Sequence, residues 1–148
     1  MATIRGGDGL AIALAKLAGK LARPATLRVG FLENARYPDG TPVGLIAFLQ
    51  DYGAPNAGIP PRPFFRNMIA AKSPEWPDAI GKLLQEHDFD AVAALDKAGA
   101  AIAGQLRDSI STFEGVALKP ATIRRKGFDK QLIETGHLLD SVDHEVVT

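Results

Sequence analysis

The longest regular pattern in this 148-residue chain covers residues 89–113 and reads FDAVAALDKAGAAIAGQLRDSISTF. Its apolar positions recur in steps of three and four residues, which indicates one packing face of a long α-helix. These positions are Phe89, Val92, Leu95, Gly99, Ile102, Leu106, Ile110 and Phe113. The middle of the helix is rich in alanine and glycine, so a neighbouring element can approach it closely, inside the fold or between subunits. Asp88 is the predicted N-cap.

Two strands are predicted far from each other in the sequence. Residues 26–32 alternate through Leu27, Val29 and Phe31, which is typical of a strand with one buried face. Residues 142–147 show the same alternation at the end of the chain. We therefore predict an α+β fold, mostly helical, with one long central helix packed on a small antiparallel sheet.

Shorter helices are predicted around these elements. They cover residues 9–23 after an Asp8 cap, residues 43–52 before Gly53, residues 64–71, residues 73–87, residues 121–126 after Pro120, and residues 135–141 with Thr135 as cap. Residues 54–63 contain four prolines, which predicts a stiff extended loop that is neither helix nor central strand.

The composition fits one globular domain spanning residues 1–148, with 46% hydrophobic and 23% charged residues. Because Lys plus Arg and Asp plus Glu are both 17, the chain lacks the basic excess of a nucleic-acid coating protein. The absence of cysteine excludes disulfides, thiolate metal sites and cysteine nucleophiles. The apolar segment at residues 10–22 is interrupted by Lys16 and Lys20, which favours an amphipathic helix over a membrane span.

The charge is unevenly distributed along the chain. Residues 1–74 contain nine Lys or Arg and four Asp or Glu, a net +5, whereas residues 75–148 contain eight and thirteen, a net −5. Two interpretations remain open: solvated faces of one subunit, or complementary faces that meet in a head-to-tail contact between subunits.

No pattern of catalytic or metal-binding residues stands out. His87, Asp88 and Asp90 are close in sequence, but their place between two helices favours capping and solvation. The glycine-rich residues 5–9 lack the preceding strand and the lysine of a phosphate-binding loop. We therefore expect no enzyme activity, no cofactor and no metal. The basic triplet Arg124-Arg125-Lys126 supports an alternative, a small nucleic-acid-binding accessory protein.

Two motifs resemble those of a known group of proteins. The first is DYG at residues 51–53 followed by IPPRPFFR at residues 59–66. The second is LKPATIRRKG at residues 118–127 followed by LIETGHLLDSV at residues 132–142. Both resemble motifs of the tail-completion and head–tail joining proteins of lambdoid and Mu-like tailed bacteriophages, among their neck and minor tail proteins. In several of these relatives the second motif precedes the first, whereas here it follows.

The resemblance implies a non-enzymatic virion morphogenesis protein, formed in the cytoplasm of a bacterial host and then part of the virion. Its implied partners are tail-tube, connector or neck proteins and further copies of itself in a ring, with a hexamer as the natural expectation. Predicted contact residues are Arg62, Phe64, Phe65, Arg66, Arg124 and Arg125. Predicted framework residues are Gly53, Pro60, Pro61, Pro63, Lys126, Gly127, Thr135, Gly136, Leu138 and Ser141.

The first motif also has a physical interpretation of its own. A loop with several prolines loses little entropy when it docks, and prolines on both sides of Arg62 restrict the direction of its side chain. One of Phe64 and Phe65 is expected to anchor the loop to the core while the other meets a partner. The alternative is that the loop only connects two helices and that both phenylalanines belong to the core.

Overall fold

The computed structural model describes residues 7–114 and 136–148. Its helices and strands are α1 (Gly7–Leu21), β1 (Thr26–Phe31), α2 (Val43–Tyr52), α3 (Phe64–Lys72), α4 (Trp76–Glu86), α5 (Ala91–Glu114) and β2 (Val142–Val147). Short 3₁₀ turns occupy Pro55–Ala57 and Ser73–Glu75, and residues 136–140 form one helical turn before β2. The predicted helix at residues 121–126 and the predicted cap at Thr135 lie outside the described residues.

The two strands form an antiparallel sheet that joins distant parts of the chain. Thr26 pairs with Val147 at one end of the register and Phe31 pairs with Val142 at the other. The long helix α5 packs on this sheet and also contacts α3 and α4. The predicted α+β class, with a long helix on a small antiparallel sheet, is therefore confirmed.

The core lies where α5 packs on the sheet and on α3, and α2 adds to it by packing on β1 and α3. The buried apolar side chains are Val43, Ala47, Phe64, Met68, Ala94, Ala98, Ile102, Ala103, Leu106, Ile110, Leu138 and Val142. Ile102, Leu106 and Ile110 follow the predicted apolar face of α5, whereas Val92 is exposed. Burial of this face, more than helix propensity, is what stabilises a helix of this length in water.

The alanine- and glycine-rich middle of α5 packs closely on the two strands. A Cβ atom added to Gly99 would lie 2.5 Å from Cδ2 of His144 on β2 and 2.7 Å from Cδ1 of Leu27 on β1. The His144 ring is held in this position by Asp96, whose Oδ1 lies 2.9 Å from His144 Nε2. Gly99 therefore lets the helix approach both strands closely.

Alanine substitutions at two glycines of α5 test this packing. Gly99→Ala is expected to lower the free energy of unfolding by about 1–3 kcal/mol, because the His144 ring and the Leu27 side chain must move to admit a methyl group. Gly104→Ala is the matched control, since an added Cβ there meets nothing within 4 Å. It should raise the free energy of unfolding by up to about 1 kcal/mol through helix propensity. Urea unfolding measures both, and equal effects at the two positions would contradict the close approach.

The predicted start of α5 needs correction. Asp88 is not the cap of α5: its φ is +53°, Phe89 follows at +59°, and the helix begins at Ala91. Asp90 takes the capping role, because its Oδ1 accepts a hydrogen bond from the backbone N–H of Ala93 at 3.2 Å. The chain must reverse between α4 and α5, and Asp88 is one of the residue types that tolerate the left-handed conformation this turn uses.

Two further predictions, the cap of α1 and the helix-free loop at residues 54–63, also need correction. Asp8 was predicted to cap α1, but the helix begins at Gly7, which places Asp8 in its first turn, where a carboxylate interacts favourably with the helix dipole. The loop at residues 54–63 was predicted to contain no helix, yet Pro55–Ala57 forms a 3₁₀ turn. Proline at the first position has a suitable φ and needs no hydrogen-bond acceptor there.

Candidate docking site

A buried carboxylate joins the two helices that flank the proline-rich loop. Asp51 lies in the last turn of α2 with 3% of its surface exposed, and it is the only charged residue buried in the described part of the chain. Its Oδ1 accepts hydrogen bonds from the backbone N–H groups of Phe65 (3.0 Å) and Arg66 (3.3 Å) in the first turn of α3. Asp51 therefore caps α3 from another helix, where the local N-cap residue, Pro63, supplies no side-chain hydrogen bond.

Arg66 completes this connection from the side of α3. Its Nε donates to Oδ2 of Asp51 at 2.7 Å, and its Nη2 donates to the carbonyl oxygen of Asp51, also at 2.7 Å. The guanidinium lies over the ring of Tyr52, 4.2 Å from the ring centroid. Arg66 thus binds a carboxylate, a helix C-terminal carbonyl and an aromatic face together, a combination suited to arginine and not to lysine. Its side chain stays half exposed.

The loop after α2 folds directly onto the end of that helix at Gly53. Gly53 has a φ of +77°, and a Cβ atom added there would lie 2.7 Å from the backbone nitrogen of Pro61 and 2.9 Å from the carbonyl oxygen of Ile59. The backbone N–H of Arg62 donates to the carbonyl of Gln50 at 2.7 Å. We call Asp51, Gly53, Arg66 and the loop at residues 59–63 the clasp.

The two phenylalanines of the first motif occupy different environments. Phe64 belongs to the core, and its carbonyl accepts a hydrogen bond from Ser109 Oγ at 2.6 Å. Phe65 is partly buried, with its ring centroid 6.4 Å from that of Phe31 and its edge against Gly30. Phe64 therefore anchors the loop in the core, and its predicted contact with a partner is wrong, because only 2% of its surface is exposed. Phe65 packs against the same core, which agrees with the alternative in which both phenylalanines belong to the core. Contacts of Phe65 and Arg62 with a partner remain predictions.

An exposed apolar surface adjoins the clasp on α2. Leu45, Phe48 and Tyr52 lie three and four residues apart on one side of the helix, and Phe48 and Tyr52 are 57% and 52% exposed. The rings of Phe48 and Tyr52 are 4.7 Å apart between centroids. We call these three side chains the aromatic face. The opposite side of α2 buries Val43, Ala47 and Asp51.

The aromatic face was missed by sequence reasoning, although a signal was present. The segment VGLIAFLQDY carries a single charge, and a helix that is apolar nearly all round has more apolar surface than one core contact can bury. With Asp51 turned inward, the outward side of this helix carries no charge.

The described part of the second motif is structural. Leu138 is buried in the core, and Ser141 ends the helical turn by donating its Oγ hydrogen bond to the carbonyl of His137 at 2.6 Å. The His137 ring contacts the Tyr37 ring in a tilted arrangement, with 4.8 Å between centroids. Gly136 begins the turn, where a Cβ atom would meet nothing within 4 Å. Arg124, Arg125, Lys126, Gly127 and Thr135 lie outside the described residues.

The acidic cluster between α4 and α5 forms a surface depression with the end of α1. Lys20, His87, Asp88 and Asp90 line it, and Lys20 Nζ donates to Asp88 Oδ2 at 2.7 Å and to its carbonyl at 2.9 Å. The hydrogen bond and the positive charge of Lys20 lower the pKa of the Asp88 carboxyl below its ordinary value. Across residues 7–114 and 136–148, no three His, Asp or Glu side chains are placed to hold a metal ion.

We compared the chain with known protein families, curated proteins and solved structures. Protein-family models, curated proteins and solved structures give no significant match to the chain. Among the described helices, none is both long enough and apolar enough to cross a membrane.

Proposed function

We propose that this chain is a non-enzymatic structural protein of a tailed phage or prophage, which completes the tail or joins head to tail by docking on the tail tube or the connector. The observation that carries this proposal is the aromatic face, which adjoins the DYG…IPPRPFFR motif that resembles such proteins. An exposed pair of aromatic side chains in contact with each other is the kind of feature that supplies hot spots at protein interfaces.

The clasp gives the aromatic face a fixed position. The Tyr52 ring contacts both the guanidinium of Arg66 and the ring of Phe48. Arg66 is itself fixed by two hydrogen bonds to Asp51. Side chains that are already ordered lose less conformational entropy on binding, so more of the contact energy is retained as affinity.

The proposed mechanism is repetition of one contact in a ring. Each copy forms a modest apolar contact with the tail tube or connector, and contacts linked within one ring raise the overall affinity by avidity. Assembly takes place in the cytoplasm of the bacterial host, and the protein then stays in the neck or tail of the virion.

Polar substitution of the aromatic face tests the proposal in particle assembly. Leu45→Ser/Phe48→Ser, supplied in trans to a lysogen that lacks the gene, should reduce infectious particles by at least about tenfold, the effect of losing one hot spot. Filled heads and free tails should accumulate unjoined. Tyr52 is left unchanged in this variant because it belongs to the Arg66 stack.

Val92→Ser is the matched control, since Val92 is an exposed apolar residue on α5. It should leave the particle yield unchanged. Both variants should unfold within about 0.5 kcal/mol of the wild-type chain, because surface substitutions rarely change stability by more. A normal yield of infectious particles with Leu45→Ser/Phe48→Ser would show that the aromatic face is not needed for docking. Normal joining of heads to tails in the lysogen that lacks the gene would refute the proposed function.

A further inference from the structure

The guanidinium of Arg66 uses only one of its edges inside the fold. Its Nε donates to Oδ2 of Asp51 and its Nη2 donates to the carbonyl oxygen of Asp51, both at 2.7 Å. A guanidinium has five N–H bonds, so three remain, two on Nη1 and one on Nη2. Within residues 7–114 and 136–148 no protein acceptor binds these three, and 45% of the side chain is exposed. The edge formed by Nη1 and Nη2 is therefore open to a second acceptor.

This guanidinium lies at the border of the aromatic face. Its central carbon is 4.2 Å from the centroid of the Tyr52 ring, and that ring contacts Phe48. A partner that covers Tyr52 therefore also covers part of Arg66. If such a partner offered no acceptor, N–H groups of Arg66 would lose water without a replacement, which costs free energy.

The segment that forms the clasp and the aromatic face has an excess of positive charge. Asp51 is the only acidic residue of residues 40–74, and its side chain is buried, whereas the same segment contains Arg62, Arg66 and Lys72. Asp51 also accepts hydrogen bonds from two backbone N–H groups of α3, so its negative charge is shared between them and Arg66. A partner with negative charge therefore complements this segment.

We propose that the open edge of Arg66 binds a carboxylate of the docking partner, so that the partner presents an apolar patch with an aspartate or glutamate at its border. The planar edge of a guanidinium matches the two oxygens of a carboxylate, and such charge-assisted pairs are among the stronger hydrogen bonds. This inference rests on the proposed function, because the partner is the tail tube or connector that the aromatic face contacts.

Arg66 thus has two roles that use different edges. The edge formed by Nε and Nη2 holds the guanidinium over Tyr52 from within the fold, and the opposite edge selects the partner. The contact that the sequence predicted for Arg66 is compatible with its internal bonds to Asp51 for this reason.

A phosphate group also fits a guanidinium edge, but the surroundings favour a protein carboxylate. A nucleic-acid backbone is bound by several cations that follow its phosphates. In the described part of the chain, Arg66 is the one cation that lies over a ring of the aromatic face. The rest of that face is formed by uncharged side chains, which suit an apolar protein surface.

Opposite charges at position 69 test the proposal without altering the clasp. Ile69 follows Arg66 by three residues on α3, so the two side chains are neighbours on the helix surface, and Ile69 is 39% exposed. Ile69→Glu places a carboxylate beside Arg66, where it competes for the open edge and repels the partner's carboxylate. Ile69→Lys adds a positive charge at the same place. In co-sedimentation with purified tail tubes or connectors, Ile69→Glu should bind about tenfold more weakly than Ile69→Lys.

Val92→Glu and Val92→Lys are the matched controls, because Val92 on α5 is an apolar residue with a similar exposure of 44%. These two variants should bind the tail tube or connector equally. Equal binding by the two Ile69 variants, or an equally large difference at Val92, would overturn the carboxylate contact and leave the docking function in place. Absence of binding by the wild-type chain would overturn both.

Salt and nuclease treatment give a second test on the wild-type chain. Raising NaCl from about 0.05 M to about 0.5 M should weaken binding at least about threefold, because salt screens an ion pair. Binding that does not change with salt would overturn the proposal. Nuclease treatment of the purified components should leave binding unchanged, and a loss of binding would show that the open edge binds phosphate instead of a carboxylate.

Discussion

Gly53→Ala is expected to lower the free energy of unfolding by about 3 kcal/mol or more, because the backbone conformation there is nearly restricted to glycine and the site has no room for a side chain. Gly53 combines a φ of +77° with a ψ of 169°. The atoms that an added Cβ would meet, Pro61 N and Ile59 O, belong to the backbone and cannot rotate away. The loop at residues 59–63 would have to leave the end of α2.

Gly58→Ala is the matched control for this prediction. Gly58 also has a positive φ, +68°, but an added Cβ would meet nothing within 4 Å. Gly58→Ala should lower the free energy of unfolding by about 1–2 kcal/mol, because it adds only the cost of the left-handed conformation. Urea unfolding followed by circular dichroism measures both values. Equal losses at the two positions would show that the loop does not lie against α2 as described.

Asp51→Ala is expected to lower the free energy of unfolding by about 3 kcal/mol, because it removes a charged acceptor from several hydrogen bonds. Two backbone N–H groups at the start of α3 lose their acceptor, and so does the Nε of Arg66. Hydrogen exchange should show the first turn of α3 losing protection before the rest of the fold. The guanidinium should also lose its fixed position over Tyr52.

Two variants separate the parts of this effect. Asp51→Asn keeps a side-chain oxygen for the backbone N–H groups, so its loss should be smaller, about 1–2 kcal/mol. Arg66→Ala should cost about 1 kcal/mol, since the Arg66 side chain is half exposed and its ion pair is screened by solvent. If Asp51→Ala lowers the free energy of unfolding no more than Arg66→Ala does, the hydrogen bonds from Asp51 to the first turn of α3 do not contribute measurably to stability.

Local patterns in the sequence predicted most of the fold. The bounds of α2 were predicted as found, because Gly53 marks a helix end that requires a positive φ. The alternation in residues 26–32 and 142–147 identified both strands, and their antiparallel pairing is the one observed. The cap of α5 was misplaced because Asp88 and Asp90 are equally suitable by residue type, and the choice depends on how the chain turns after α4.

The candidate site could be predicted only in part. All residues of the clasp lie in the motif that the sequence singled out, but Arg66 was assigned to a partner. The bond from Asp51 to Arg66 joins two helices across a loop, and no local pattern reveals it. The aromatic face was overlooked because burial of one side of α2 depends on tertiary contacts, which decide which apolar side chains remain outside.

The central claim is that the aromatic face docks on the head–tail joint, and electron microscopy of purified components tests it most directly. Tail tubes and connectors made from the products of neighbouring genes are mixed with the wild-type chain or with Leu45→Ser/Phe48→Ser. We expect the wild type to cap one end of the tube or connector as a ring and the variant, still folded, to leave that end bare. Bare ends with the wild type would contradict the function, and equal capping by both chains would contradict the assigned surface.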